Sequence, residues 1–141
     1  GAWAGGLRLV DAGRVVLPST RRIIAAIRAR GVPIILFARN PGHLVQSTID
    51  AGASAVSLDW RVELADASKQ AAAAGVAIQG NLDPSELFAS PEHIARRVRE
   101  MHEQVGDRTG WIVNLGHGVT PPTPLAGVAA FVAAVQALAV G

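Results

Sequence analysis

The sequence predicts an α/β protein built on a parallel sheet, and three observations support that class. Four short apolar runs rich in Val and Ile recur along the chain, and each is too short to form a helix. Longer segments with helical spacing separate these runs, and four of the helical segments end at a glycine, which is a common stop signal. Short buried strands that alternate with helices are typical of a parallel sheet with covering helices.

Each element can be placed from its boundary residues. Five helices are predicted, over 17–30, 43–51, 62–74, 91–105 and 124–140. Ser90, Pro91 and Glu92 form a typical start for the fourth helix, and Gly106 is a typical stop. The apolar runs predict strands over 32–38, 53–58, 76–79 and 111–115. Because these runs are continuous rather than alternating, both faces of the sheet are expected to need cover.

Two architectures have this order of elements, a doubly wound open sheet and part of a (β/α)8 barrel. In both, functional residues lie beyond the carboxyl ends of the strands. Polar residues gather at that end of every predicted strand, and this asymmetry locates a site without identifying a reaction. These residues are Arg39, Asn40, Asp59, Asn81, Asp83, Asn114 and His117, with Trp60 beside Asp59.

Composition excludes several classes of function. The chain has 141 residues, which fits a single domain over 1–141, and half of them are apolar, so it can form a core. A formal net charge of +2 is far below the clustered charge that nucleic-acid binding needs. The lack of Cys excludes disulfides, Cys-ligated metal sites and a cysteine nucleophile. With no membrane-length apolar run and no visible secretory signal, we expect a soluble cytoplasmic protein.

Several common catalytic motifs are absent. The glycine-rich segment 1–6 follows no strand, so it is not a dinucleotide-binding fingerprint. Neither a serine nucleophile elbow nor a His-Glu-x-x-His zinc motif occurs. His93 and His102 lie on the predicted helix over 91–105, where we expect solvated surface residues.

Two motifs stand out at the predicted carboxyl ends of strands. The sequence Gln-Gly-Asn-Leu-Asp-Pro at 79–84 contains Asn81 and Asp83, which either cap a turn or face a site. The sequence Asn-Leu-Gly-His-Gly at 114–118 places His117 between two glycines, so little side-chain cover is expected around its imidazole. A lone histidine is more often structural than catalytic, but this context favours an imidazole that faces a cavity. Both interpretations of His117 therefore stay open at this point.

Five short motifs run in order from end to end of the chain. They lie at 3–5, 35–38, 57–60, 79–84 and 114–118, and Pro and Thr residues follow the last. In sequence, order and separation they resemble the uroporphyrinogen decarboxylase family. Zinc-dependent corrinoid methyltransferases of the same superfamily place a metal-binding Cys near the last barrel strand. This chain has His117 in that region and no Cys, which favours the decarboxylase branch.

The resemblance implies a fold and an activity. Family members are cytosolic (β/α)8 barrels that commonly form homodimers. Without metal or cofactor, they remove four acetate carboxyl groups from uroporphyrinogen III to give coproporphyrinogen III. The matching motifs belong to the carboxyl-terminal part of that barrel, so the four predicted strands would be the last four of eight. By this resemblance the chain is a half-barrel that we expect to be inactive alone. The alternative is a non-catalytic half-barrel that binds a tetrapyrrole or a partner protein.

The resemblance also implies roles for particular residues. It places a substrate-contacting histidine at His117, which would bind a substrate carboxylate or assist a proton transfer. Arg39, Asp59 and Asn81 are the further candidates for substrate contact. Ala2 occupies the position of the family's substrate-contacting Ser, and the Asp that gathers pyrrole N–H groups belongs to the amino-terminal part of the family barrel. Because a half-barrel leaves strand edges open, we expect self-association or pairing with an amino-terminal half.

Overall fold

Strands and helices alternate along the chain in the computed structural model, which describes residues 17–37, 45–106 and 109–138. The elements in chain order are α1 (Leu17–Arg28), β1 (Ile35–Phe37), α2 (Val45–Ile49), β2 (Ala55–Ser57), α3 (Leu64–Ala73), β3 (Ala77–Gln79), a 3-10 helix (Pro84–Phe88), α4 (Pro91–Val105), β4 (Trp111–Ile112) and α5 (Leu125–Leu138). This order confirms the predicted alternation of strands and helices.

The four strands form one parallel sheet whose spatial order equals the sequence order, β1-β2-β3-β4. Phe37 is in register with Ser57, and Ser57 with Gln79, so the strand ends are level. A doubly wound sheet reverses its strand order at a switch point, whereas a barrel does not. The sequential order therefore matches half of a (β/α)8 barrel. Because crossover connections are right-handed, the helices cover the same face.

The main core lies between the helices and the outer face of the sheet. Its most deeply buried aliphatic side chains come from β2, β3, the segment after β3 and α4, and they are Val56, Ile78, Leu82, Leu87, Ile94 and Val98. Each such side chain stabilises the fold by roughly 1.5–3 kcal/mol through burial alone. The other face of the sheet is less covered, since Ile35 and Ile112 are 50% and 43% exposed. The core thus sits on one side of the sheet.

Helix α4 has the bounds that the sequence predicts. Ser90 caps it, because the Ser90 hydroxyl accepts a hydrogen bond from the His93 N–H at 3.3 Å. Gly106 ends it with a φ of +72°, which favours glycine. The buried face repeats at helical spacing and consists of Ile94, Val98, Met101 and Val105. The α4 helix therefore follows from its own boundary and periodicity signals.

Strands β1 and β4 are shorter than the predicted runs. β1 begins at Ile35 rather than at 32, since Pro33 has no N–H for a ladder and Val32 is half exposed. β4 ends at Ile112 rather than at 115. Opposite it, Gly80 has a φ of +130° that interrupts regular pairing, which resumes only as a bridge between Leu82 and Leu115.

The helices also differ in detail from the prediction. The expected turn after β3 contains a 3-10 helix at Pro84–Phe88, capped by the Asp83 carboxylate, which accepts a hydrogen bond from the Ser85 N–H at 2.8 Å. The helix expected over 43–51 is seen as Val45–Ile49, and residues 43–44 lie outside the described part of the chain. After β3, a short helix forms in place of an ordinary turn because Asp83 caps it and Pro84 favours helix initiation.

Helix α5 packs against α4 and against the 3-10 helix. The contact with the 3-10 helix needs Gly127, because a Cβ there would lie 3.3 Å from the Leu87 Cα and closer still to the Leu87 carbonyl. The opposite side of α5 is exposed and apolar, with Leu125 86% and Val132 46% exposed. Within the described residues, no helix is both long and apolar enough to cross a membrane.

Candidate functional site

The carboxyl ends of the strands form the floor of the candidate site. Phe37, Ser57 and Gln79 end β1, β2 and β3 in one register row. The Gln79 side-chain amide donates a hydrogen bond to the Ser57 hydroxyl at 3.1 Å, which ties the two strand ends together. This row gives the site a floor of one aromatic ring and two linked polar groups.

His117 stands above this floor, after β4. Its side chain is exposed, and its ring meets the ring of Phe37 edge to face, with centroids 6.0 Å apart. Gly116 sets the height of the loop, since a Cβ at that position would lie 2.5 Å from the Trp60 Cα. Only glycine allows the His117 loop to rest directly on the backbone after β2.

Two clefts meet at His117, and both also include Gly118. The inner cleft, of about 550 Å³, lies over the strand ends and includes Phe37, Ser57 and Gln79. The outer cleft, of about 360 Å³, lies between the loops that follow β2, β3 and β4. An imidazole on the ridge between two clefts can reach a ligand that occupies either of them.

The loop after β2 holds a buried carboxylate and a cation. Asp59 is completely buried, and both of its carboxylate oxygens lie within 3.3 Å of the Arg61 Nη1. The Arg61 N–H also donates to Asp59 at 3.0 Å. The guanidinium lies over the Trp60 ring, 4.1 Å from its centroid. Carboxylate and indole together hold the Arg61 side chain in one position.

Asn81, two residues after the end of β3, fixes the same loop. Its side-chain N–H groups donate to the backbone oxygens of Asp59 at 3.1 Å and Val62 at 2.7 Å, and the residue is only 7% exposed. Gly116 in turn packs on Trp60, inside the loop that Asn81 holds. Asn81 therefore supports the site from below.

A second polar cluster joins the 3-10 helix to α4. Glu86 accepts hydrogen bonds from Arg97 and pairs with His93 at 2.9 Å, and Arg97 also pairs with Glu100. Burial alone would lower the pKa of Arg97, but the hydrogen bonds to Glu100 and Glu86 outweigh it and raise that pKa. His93 is thus an anchored residue at a helix junction rather than the solvated one that the sequence predicts.

His102 also departs from the expected solvated position. It is half-buried, and its ring lies 6.2 Å from that of Trp111 between centroids. The Trp111 indole N–H donates to the Gly80 carbonyl at 2.9 Å. These contacts give His102 a packing role beside β4.

The predicted site residues occupy different places. His117 lines both clefts, whereas Asp59 is buried within the loop after β2 and Asn81 holds that loop through hydrogen bonds. Arg39 and Ala2 fall in segments 38–44 and 1–16, outside the described residues. Substrate contact by any of them stays a prediction.

The outer cleft contains residues that sequence reasoning did not single out. Arg61, Ser85 and Phe88 line it beside His117. Arg61 directly follows the Asp59-Trp60 pair, and Ser85 follows Pro84, so proximity to the polar strand ends was the available signal. In the described part of the chain, no group of three His, Asp or Glu side chains could hold a metal ion.

A sequential run of parallel strands, with side chains converging beyond their carboxyl ends, defines the class of (β/α)8-barrel proteins. Comparison with protein families gives the particular membership. The model of the uroporphyrinogen decarboxylase (URO-D) family matches residues 2–138, and the chain belongs to that family.

Curated relatives named uroporphyrinogen decarboxylase agree with this match. A protein of Rhodococcus erythropolis is 43% identical over 97% of this chain and 40% of its own length. Proteins of Sorangium cellulosum and Streptomyces coelicolor are 40% and 41% identical, over 97% and 86% of this chain. The chain therefore spans about 40% of the length of the relatives that it matches.

Proposed function

We propose that this chain forms the carboxyl-terminal half of a uroporphyrinogen decarboxylase, which converts uroporphyrinogen III to coproporphyrinogen III and four CO2. The observation that carries the proposal is the position of His117, exposed between two clefts above the strand ends. Membership of the family supports the reaction class. A tetrapyrrole with eight carboxylates is the proposed substrate.

The proposed decarboxylation needs a group that accepts the electron pair of the broken carbon–carbon bond. Protonation of a pyrrole ring carbon makes the ring cationic, and the bond between the acetate methylene and its carboxylate then breaks as CO2 leaves. The electron pair enters the ring and leaves an exocyclic methylene. Protonation of that methylene carbon, followed by loss of the proton first added to the ring carbon, gives the methyl group on a neutral pyrrole. His117 is the proposed donor to a substrate carboxylate or to the reacting carbon.

The test joins this chain to the part of the Rhodococcus erythropolis relative that it does not cover, in one polypeptide. Coproporphyrinogen is then measured from uroporphyrinogen under reducing conditions. We expect turnover above the uncatalysed rate. A folded, joined protein that forms no coproporphyrinogen would reject the proposal.

The 141-residue chain alone is proposed to be inactive. Among the described strands, β1 and β4 each have a neighbour on one side only, so the inner cleft stays open beside both edges. An open cleft cannot exclude water from a cationic intermediate. Coproporphyrinogen formed by the purified chain at a rate near that of the joined protein would contradict this.

A second candidate function is a non-catalytic module that binds a tetrapyrrole or a protein. The open edges and the exposed apolar side of α5 favour it, because both need cover. The cover would be a second copy of the chain or the remainder of a barrel. Porphyrin binding by the 141-residue chain, combined with inactivity of the joined protein, would favour this candidate over the enzyme.

A further inference from the structure

The outer cleft has two aromatic walls. Trp60 is 37% exposed and Phe88 is 52% exposed, and both line the cleft together with Pro84. Two partly exposed aromatic rings that line one cleft offer a surface on which a flat ring can pack. A volume of about 360 Å³ is suited to one small ring with short substituents rather than to a whole tetrapyrrole.

The same cleft presents hydrogen-bond donors that the protein leaves unused. One guanidinium nitrogen and the backbone N–H of Arg61 donate to Asp59. In the part of the chain that the structure describes, Arg61 has no further hydrogen-bond partner. The His117 imidazole and the Ser85 hydroxyl likewise have no hydrogen-bond partner there. Three different donors therefore line one cleft.

The charges around the cleft are compatible with an anion. The Asp59 carboxylate is buried behind Arg61, and the Asp83 carboxylate accepts the Ser85 N–H at 2.8 Å, which partly satisfies it. The Arg61 side chain stays 42% exposed while Asp59 and Trp60 hold its guanidinium. A guanidinium that is positioned before binding loses little freedom when it pairs with a carboxylate.

We propose that the outer cleft is a subsite for one acid-bearing pyrrole ring of the substrate, with Arg61 as its carboxylate ligand and Trp60 and Phe88 as its ring contacts. The identity of the ligand rests on the proposed function. While one ring occupies the inner cleft, its neighbour lies in the outer cleft, and His117 stands between the two rings. The subsite makes Arg61 and Phe88 determinants of substrate affinity.

The test titrates the 141-residue chain with a monopyrrole that carries one acetate and one propionate arm, followed by NMR of the arginine and indole N–H groups. We expect saturable shifts at Arg61 and Trp60. Arg61→Gln should raise Kd about tenfold, as for loss of a charge-assisted hydrogen bond, and Arg61→Lys should raise it less. Arg99→Gln, which removes an exposed arginine on α4, is the matched control and should leave Kd unchanged.

Phe88→Ser covers the case in which loss of Arg61 disturbs the buried Asp59. It should raise Kd about fivefold, and Val132→Ser, which removes an exposed apolar side chain on α5, should not. An unaltered, folded chain that does not bind the monopyrrole at millimolar concentration overturns the proposal, as do equal effects of test and control variants. If the monopyrrole binds but the joined protein is inactive, the subsite stands and the proposed function fails.

Discussion

The loop that carries His117 is held by the close backbone contact at Gly116, while the His117 side chain stays exposed beside Phe37. We expect His117→Asn, in the joined protein, to lower turnover of uroporphyrinogen roughly tenfold to a thousandfold, the range for an assisting acid or a charge-stabilising donor. The free energy of unfolding should change by less than about 1 kcal/mol, because the side chain is exposed. Steady-state rates and urea unfolding of the same variant measure both quantities.

Glu103→Gln, an exposed change on α4, is the control for this variant and should alter neither quantity. A structural role for His117 predicts the opposite signature, with stability lost and activity per folded molecule retained. Wild-type kinetics in a stable His117→Asn protein would show that His117 has no role in the proposed reaction.

Asn81 carries its effect through two backbone carbonyls. Asn81→Leu keeps the size of the side chain but removes both hydrogen bonds. The Asp59 carbonyl still accepts from the Val62 N–H at 3.0 Å, so among the described residues the Val62 carbonyl is the group that loses its donor. We expect the free energy of unfolding to fall by about 1–3 kcal/mol, the cost of one buried unsatisfied group. Urea unfolding checks this, with Gln70→Leu on the exposed side of α3 expected to change stability by less than about 0.5 kcal/mol. Equal stability of the two variants would show that the Asn81 hydrogen bonds are dispensable.

For individual residues, the sequence predicts the exposure of some side chains but not the contacts of others. The glycines beside His117 predict its exposure, because they deny it side-chain cover. The support given by Asn81 to a loop 19 residues away follows from the pairing of β2 with β3, which no local pattern reports. The outer cleft forms where three loops meet, so Arg61 and Phe88 become neighbours only in the folded chain.

Among the elements, α4 is the one whose bounds the sequence predicts in full, because cap, periodicity and stop agree. β1 is shorter than predicted because Pro33 has no N–H for the ladder, whereas β4 is shortened from the side of its partner strand. Apolar composition shows that a segment is buried, but the length of a ladder depends on its partner strand. Gly80 limits β4 from the neighbouring strand, and nothing within 111–115 signals that limit.

The start of α4 gives a prediction about acid stability. The pKa of Glu92 lies below its ordinary value because the carboxylate accepts from its own backbone N–H and from Ser90. Its stabilising effect is therefore present above the ordinary pKa that Glu92 has in the unfolded chain, and it is lost as the pH falls through the lower pKa of the folded protein.

We expect Ser90→Ala to lower the free energy of unfolding by about 1 kcal/mol at pH 7, through loss of the helix cap. The pKa of Glu92 should rise towards its ordinary value, and the stability difference from the unaltered chain should narrow in acid. Urea unfolding between pH 3 and 7, at about one-unit steps, and NMR titration of Glu92 measure these effects. Ser19→Ala in α1 is the comparison variant. An unchanged Glu92 pKa would show that Ser90 does not reach the carboxylate.

At the scale of the whole molecule, the two strand edges and the exposed apolar side chains favour association. β1 and β4 are edges of the described sheet, Ile35 and Ile112 are half exposed, and α5 has an exposed apolar side. Light scattering at tens of micromolar should therefore find particles of at least twice the mass of one chain. We expect Val132→Glu to reduce their population, because the charge would have to be buried at the contact.

Lys69→Glu, which changes charge on the exposed side of α3, should leave the association intact. A monodisperse monomer that unfolds cooperatively would show that the edges and the α5 surface need no cover. Association that survives Val132→Glu would place the contact at the strand edges alone.

The last helix carries no ionisable side chain between Leu125 and Leu138. Any contact made through its exposed side is therefore free of electrostatic attraction and repulsion at every pH, and added sodium chloride has no ion pair to screen there. Contacts of this kind draw their strength from released water, so they weaken on cooling. A preparation chilled to a few degrees should hold fewer assembled molecules than the same solution at room temperature.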